Sequence, residues 1–149
     1  MPLDMKRCLL FIAVLLLPCF AASAQTEKYA ITFSGWGRVE SGVKMGIPLE
    51  RGAYELDIHR WRKTAGEAIL DLDERQLTLR LPRKEISYTF LTDSYVHHSQ
   101  DGWDYVEHFS LENGVSTCNV WICTGEDGSR QILVIYPTFV QGYKLGPAE

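Results

Sequence analysis

Long apolar runs are scarce in this sequence, and the longest lies near the N-terminus. Residues 9–17 are all apolar, follow Lys6 and Arg7, and precede the small residues 22–24. No run approaches the roughly 20 apolar residues that a membrane-spanning helix requires. A basic lead, a short apolar segment and small residues at positions minus three and minus one are typical of a signal peptide. The sequence therefore predicts cleavage after Ala24 and export to the periplasm or the extracellular medium.

Cys19 offers an alternative to that cleavage, because a cysteine at the end of an apolar segment can be the lipid-carrying residue of a bacterial lipoprotein. Leu16 stands at position minus three, as such a signal requires. Lipoprotein signals place Gly, Ala or Ser directly before the cysteine, and Pro18 stands there instead. Plain cleavage after Ala24 is therefore favoured over a lipid anchor.

Cysteine is rare in the predicted mature chain. Of four cysteines, Cys8 and Cys19 leave with the signal peptide, which leaves Cys118 and Cys123. Five positions apart in one strand, these two would lie about 16 Å apart on opposite faces, which is too far for a disulfide. Two separate thiols are favoured, while a bulge or loop between them would permit a bridge. Two cysteines alone are too few to hold zinc, and we predict neither metal nor cofactor.

Basic residues are also fewer than acidic residues. Removal of the first 24 of 149 residues leaves 125, with 13 Lys and Arg against 18 Asp and Glu, a net charge of −5. Such a chain repels phosphate backbones and anionic membranes, so we predict neither a nucleic-acid nor a membrane partner. A length of 125 residues is common for one domain, which we assign to residues 25–149.

Alternation of apolar and polar residues dominates the remaining sequence. Period-two patterns occur at residues 29–33, 53–58, 68–73, 77–81, 86–90 and 103–109. Residues 64–77 have the composition of a helix, but their apolar positions alternate, which favours a strand. Turn signals separate the patterns, among them Asn113-Gly114 and Asp127-Gly128. The sequence predicts an all-β antiparallel meander of eight to ten strands, closed as an up-and-down barrel or folded as a sandwich.

A small exported barrel of this kind is similar in architecture to the lipocalins and other calycins. Lipocalins carry a G-x-W motif on the first strand, whereas Trp36 follows Gly35 directly here. The resemblance is one of architecture alone. It assigns no family and no functional residue to this chain.

One hairpin departs from simple alternation, because residues 115–123 and 131–136 are apolar at nearly every position. Pairing across Asp127-Gly128 predicts two faces: Trp121 and Cys123 beside Ile132 and Val134, and Val120 and Ile122 beside Leu133 and Ile135. One face would belong to the core, and the other needs a cover from the same chain, a partner or a ligand. The same chain is favoured. A partner would make Trp121 the centre of an assembly surface.

Residues 60–63, with the sequence Arg-Trp-Arg-Lys, form the one basic patch that contains an aromatic residue. We interpret them as a loop between strands. Arg60 beside Trp61 is typical of an interface anchor, and the pair also suits an anionic sugar or lipid headgroup. Arg60, Trp61 and Trp121 are therefore our candidate binding residues, and a solvated loop is the alternative for residues 60–63.

The richest polar cluster spans residues 93–108. If the turn comprises residues 99–102, then His97 faces Asp104 and Asp93 faces His108, an arrangement that suits a general base or a metal site. A two-residue turn at Asp101-Gly102 would instead set His97 opposite Val106. A solvated strand is favoured over both, so an enzyme built on His97, Asp104 and His108 is only our third hypothesis.

Catalytic signatures are absent. The sequence has no G-x-S-x-G, no H-E-x-x-H and no phosphate-binding loop, and Gly35-Trp36-Gly37 lacks the third glycine of a dinucleotide site. Abundant aromatic residues either line a cavity or fill a core, and a core is favoured in a small barrel. We therefore predict an exported, non-enzymatic binding module for a small apolar ligand or a protein surface. An assembly subunit that uses the apolar hairpin is the second hypothesis.

Overall fold

The computed structural model describes residues 26–39, 57–91, 96–100 and 102–148. The predicted signal peptide and residues 53–56 of a predicted strand lie outside these ranges. The described residues form nine strands: β1 (Thr26–Arg38), β2 (Asp57–Asp71), β3 (Gln76–Leu81), β4 (Lys84–Phe90), β5 (Val96–Gln100), β6 (Trp103–Glu112), β7 (Ser116–Gly125), β8 (Arg130–Ile135) and β9 (Phe139–Ala148). Within these ranges there is no helix, and hence none that could cross a membrane.

Eight of the strands close into an antiparallel up-and-down barrel. Strands β1 to β4 pair in chain order, and so do β6 to β9. Pairing of β4 with β6 and of β9 with β1 closes the ring. β5 pairs with β6 alone and is an extra strand beside the closed ring. The predicted all-β barrel is confirmed. Residues 64–77, the best helix candidate by composition, belong to the β2–β3 hairpin, as their alternation predicts.

Side chains from around the ring fill the barrel interior. Its buried apolar members are Tyr29, Ile31, Ala68, Leu70, Leu77, Leu79, Ile86, Tyr88, Phe90, Cys118, Val120, Ile132, Val134 and Tyr143. Large rings take up much of this space, since Tyr88 is 1% exposed and Tyr143 is 2% exposed. An eight-stranded barrel is just wide enough for side chains to fill. The aromatic residues of the interior therefore act as core.

A second apolar cluster lies on the outer face of the barrel. It contains Val39, Trp121, Cys123, Leu133, Ile135 and Val140, with Ile58, Trp103 and Tyr105 packed against them. Trp121 is 7% exposed. Both faces of the β7–β8 hairpin are apolar, and both are buried. The inner face packs in the barrel core, and the outer face packs against other residues of the same chain.

The predicted pairing within this hairpin is wrong by one residue. Trp121 is the partner of Leu133, and Val120 is the partner of Val134. The predicted pairing places a two-residue turn at Asp127-Gly128, whereas residues 125–129 separate the last pair, Thr124 and Arg130. Gly128, at φ 82°, accommodates the longer turn. A slip of one residue exchanges the two faces of β8, so Trp121 shares the outer face with Leu133 and Ile135, and Val120 shares the interior with Ile132 and Val134.

Candidate binding surface

Residues 60–63 lie inside β2, so the predicted loop is wrong. Ser34 pairs with Arg62 and Trp36 pairs with His59, which leaves Arg60 and Trp61 together opposite one residue of β1. Two residues opposite one define a β-bulge. Arg60 adopts φ 56°, the left-handed conformation that such a bulge commonly requires. The charged residues stay extended because β1 continues to pair with them.

This part of β2 extends beyond its other neighbour. β3 pairs with β2 only from Glu67 to Asp71, whereas β1 pairs with β2 from Asp57 onward. Residues 57–66 therefore have a described backbone partner on one side only. A second bulge follows, where Ile31 pairs with Gly66 and Phe33 pairs with Lys63. Bulges and cationic side chains are the usual protection of a sheet edge against strand addition.

Trp61 rests on a floor made by two glycines. Gly35 of β1 and Gly142 of β9 are direct partners across the sheet. A Cβ atom on Gly35 would lie 2.9 Å from Trp61 Cδ2, and one on Gly142 would lie 2.9 Å from Trp61 Cη2. Both distances are shorter than normal carbon contacts. The indole therefore lies directly on the backbone of two neighbouring strands.

Phe33 lies between two lysines on one rung of the sheet. Its partner in β2 is Lys63, and its partner in β9 is Lys144. Directly paired residues point to the same face, so these three side chains share the outer surface. Lys144 Nζ lies 5.7 Å from the centroid of the Phe33 ring and 4.5 Å from that of Trp61. We call Phe33, Trp61, Lys63 and Lys144 the outer patch.

A second cation–aromatic pair lies at the bulge, with Trp36 on the interior side of the sheet, because its partner Gln141 is also the partner of the interior residue Val134. Arg60 Cζ lies 5.7 Å from the centroid of the Trp36 ring, and Trp36 is 42% exposed. Phe33 in the outer patch is 38% exposed. Exposed cation–π contacts contribute roughly 0.5–1 kcal/mol each, so they orient the cations without removing them from solvent.

Four cations of this region have no carboxylate partner in the part of the chain that the structure describes. No carboxylate of the described residues lies within 4.0 Å of Arg60, Arg62, Lys63 or Lys144. Elsewhere, Arg80 is 3.6 Å from Glu67 and Arg130 is 3.5 Å from Glu27. The chain carries a net charge of −4, whereas this region holds four cations that have no carboxylate within 4.0 Å among the described residues.

Trp121 lies on the same outer face as Trp61 but is buried. Leu133 pairs with Trp121 on one side and with Gly142 on the other, so a single row leads from Trp121 to the glycine floor. The Trp121 indole donates to Glu107 Oε2 at 2.5 Å and stacks on Tyr105 with centroids 4.8 Å apart. The structure thus places Arg60 and Trp61 at the exposed end of a strip whose other end is Trp121.

Two buried polar residues of the outer face were not predicted. Glu107 and Asn119 are both 0% exposed, and neither amide atom of Asn119 has a hydrogen-bond partner among the described residues. Glu107 stands between Tyr105 and Phe109 in the alternation of β6, at a position where an apolar residue is usual. That break in the pattern was the sequence signal for a buried carboxylate.

The predicted histidine cluster does not assemble. Gln100 pairs with Trp103, so the turn is the two-residue alternative, and His97 is opposite Val106. Of the two turns left open by the sequence, the four-residue one is wrong, and Gly102 at φ 80° permits the tighter connection. His97 Nε2 still lies 4.0 Å from Asp104 Oδ1, but their side chains are 61% and 62% exposed. Asp93 lies outside the described residues.

His108 is separated from that exposed pair. It is 7% exposed and stacks on Phe90 with centroids 4.1 Å apart. Burial lowers its pKa to about 4, so the imidazole is neutral at neutral pH. Across the described ranges, no group of three His, Cys, Asp or Glu residues is placed to hold a metal ion.

The two cysteines are separate thiols, as favoured from their spacing. Both are free and buried. Cys118 belongs to the interior cluster and Cys123 to the outer cluster, so a sheet lies between them. Burial raises the pKa of each thiol to about 12, which keeps both protonated and unreactive at neutral pH.

Comparison with protein-family models, curated proteins and solved structures finds no match to this chain. Its function is therefore argued from the geometry of its own residues.

Proposed function

We propose that this chain is an exported, non-enzymatic binding module that recognises an acidic protein surface through the outer patch. The observation that carries the proposal is the Lys63–Phe33–Lys144 rung beside Trp61. Aromatic and cationic side chains that are held in place but accessible are typical of interface anchors. A partner with exposed carboxylates would supply the counter-charges that the described residues do not.

The charge distribution favours an acidic partner over a neutral one. Most of this chain repels anions because its net charge is −4. An acidic partner would therefore be steered toward the exposed end of β2, where Arg60 and Lys63 lie. Such steering selects orientation and increases the association rate more than it increases affinity.

The filled interior favours surface recognition over an enclosed apolar ligand. Leu77, Leu79, Val120 and Val134 are 0% exposed, and the large side chains of Tyr88 and Tyr143 are buried in the same interior cluster. An eight-stranded barrel that holds a ligand must leave part of its interior unfilled. Recognition through the outside of the barrel needs no such space.

The alternatives have less support. Assembly through Trp121 requires an accessible indole, whereas Trp121 is 7% exposed and its N–H is committed to Glu107. A catalytic role for His97, Asp104 and His108 requires convergence, whereas His108 is buried against Phe90 and the other two are solvated. These placements support a binding role at the outer patch.

The test uses poly-L-glutamate as the acidic polypeptide. Binding of the exported protein to immobilised poly-L-glutamate is compared between the Lys63→Gln/Lys144→Gln and Lys28→Gln/Lys84→Gln double variants. Lys28 and Lys84 lie on β1 and β4 away from the outer patch and are exposed, so both variants lose the same two charges. We expect roughly tenfold weaker binding for the first variant only. Equal losses would show that net charge alone matters, and would overturn the proposal.

A further inference from the structure

A cleft of about 430 Å³ opens beside the start of β1, apart from the outer patch. Its walls include Tyr29, Asp127, Ser129, Arg130, Leu145 and Pro147. A bulge in β9 shapes it, because Tyr29 pairs with Ala148 whereas Ile31 pairs with Leu145. The volume lies in the range of sites for small molecules.

Arg130 presents a fixed guanidinium to this cleft. Its Cζ lies 5.1 Å from the centroid of the Tyr29 ring, and its Nη1 donates to Tyr29 Oη and, at 3.5 Å, to Glu27 Oε2. The Tyr29 hydroxyl in turn donates to Glu27. No described residue accepts a hydrogen bond from Nε or Nη2. These two groups form one side of the planar fork that binds a carboxylate with two parallel hydrogen bonds.

Asp127 presents an oriented carboxylate to the same cleft. Its Oδ1 accepts from the Ser129 backbone N–H at 3.0 Å and from Ser129 Oγ at 2.5 Å. These hydrogen bonds lower the pKa of Asp127, so the group is charged at neutral pH. The second oxygen, Oδ2, has no donor among the described residues.

The positive charge of Arg130 and the negative charges of Asp127 and Glu27 together determine which kind of ligand the cleft favours. A simple anion at Arg130 would meet two carboxylates, Glu27 and Asp127, and a simple cation at Asp127 would meet the guanidinium. A molecule with both charges satisfies the Arg130 fork and Asp127 Oδ2 together. We propose that the cleft binds a small zwitterion, a free α-amino acid, with its carboxylate on Arg130, its ammonium on Asp127 and its side chain against Leu145 and Pro147.

The test is a titration of the ¹⁵N-labelled exported protein with L-alanine, followed through backbone amide shifts. We expect saturable shifts at Gly128, Ser129 and Gly146. Acetate alone and ethylammonium alone should each bind at least about tenfold more weakly, because each satisfies one of the two charged groups. Absence of saturable shifts with L-alanine, or acetate binding as tightly as L-alanine, would overturn the proposal.

Two variants test the assigned groups. Arg130→Gln and Asp127→Asn should each weaken L-alanine binding about tenfold or more. Asp127→Asn keeps an oxygen for the bonds from Ser129, so it tests the charge even if Arg130→Gln disturbs folding. Arg83→Gln and Asp73→Asn, exposed in other turns, are the matched controls. Unchanged binding by Asp127→Asn would contradict the assignment. None of these residues belongs to the outer patch, so either proposal can fail without the other.

Discussion

Single residues set the geometry of the outer patch, and the most consequential are two that have no side chain. The paired glycines Gly35 and Gly142 let the Trp61 indole lie against the sheet, where Lys144 reaches its ring. A larger residue at either position would lift the indole away from the backbone. The position of Trp61 thus depends on backbone that the sequence alone does not show to be adjacent.

Substitution of the floor glycines should destabilise the fold. We expect Gly35→Ala and Gly142→Ala each to lower the free energy of unfolding by about 1–3 kcal/mol, because the added methyl group overlaps Ile58 and Trp61. Gly146→Ala is the matched control, since its nearest contact would be an ordinary 3.6 Å. Urea denaturation measures all three. Equal stability of Gly35→Ala and Gly146→Ala would contradict the glycine floor.

His108 should make the protein sensitive to mild acid. Its pKa in the folded state is about 4, whereas an unfolded histidine titrates near 6.5. Between these values the unfolded chain binds more protons, so stability falls as pH decreases from about 6.5 to 4, by about 3 kcal/mol in all. Urea denaturation at a series of pH values measures this fall.

A substitution isolates this contribution. His108→Gln removes the titrating group and should flatten the loss of stability between pH 6.5 and 4. His97→Gln removes an exposed histidine and should leave the loss unchanged. If the free energy of unfolding of His108→Gln fell as steeply between pH 6.5 and 4 as that of the unsubstituted protein, another group would be responsible.

At the scale of elements, the bulges of β2 position residues of the proposed binding surface. The first bulge places Arg60 beside Trp36 and Trp61 on the glycine floor, and it requires Arg60 to adopt φ 56°. A left-handed conformation is unfavourable for arginine and easy for glycine.

That conformation predicts opposite effects of glycine at two neighbouring positions. Arg60→Gly should raise the free energy of unfolding by up to about 1 kcal/mol, because strain is relieved. Arg62→Gly, in the extended strand, should lower it by about 0.5–1 kcal/mol. Thermal and urea denaturation of both variants measure the difference. A loss of stability in Arg60→Gly as large as that in Arg62→Gly would contradict the strained bulge.

The sequence predicted the strands better than their registers. Alternation identified β3 and β4 because each buries one face, and it separated residues 64–77 from a helix. It also identified β6, although that strand carries buried residues on both faces. The pairing of Trp121 depended on whether the β7–β8 turn holds two or five residues, which the Asp127-Gly128 signal does not determine. The Arg60 bulge was mistaken for a loop because its composition is that of a solvated turn.

At the scale of the whole molecule, the barrel places the proposed recognition surface apart from the interior core. The interior cluster is apolar and filled, and the outer patch lies where β2 extends beyond β3. The sequence identified Arg60 and Trp61 as candidates, but not Phe33 and Lys144, which reach the patch through pairing of distant strands. Closure of β9 onto β1 brings these residues together, and no local pattern shows that pairing.

Export remains a prediction of the N-terminal sequence. Protein purified from the envelope or medium of its own host should begin at Gln25, because signal peptidase cleaves after the small residue Ala24. Edman sequencing and intact mass measure this directly. A mature chain that begins with a lipid-modified Cys19 would support the lipoprotein alternative instead.

The central claim is that an acidic polypeptide binds at the outer patch. The most direct measurement is a map of backbone amide shifts in the ¹⁵N-labelled exported protein on addition of poly-L-glutamate. The account predicts that the largest shifts cluster at Phe33, Trp61, Lys63 and Lys144 and shrink as salt concentration rises. Shifts confined to β5, to the Arg130 cleft or to residues of the barrel interior would contradict it.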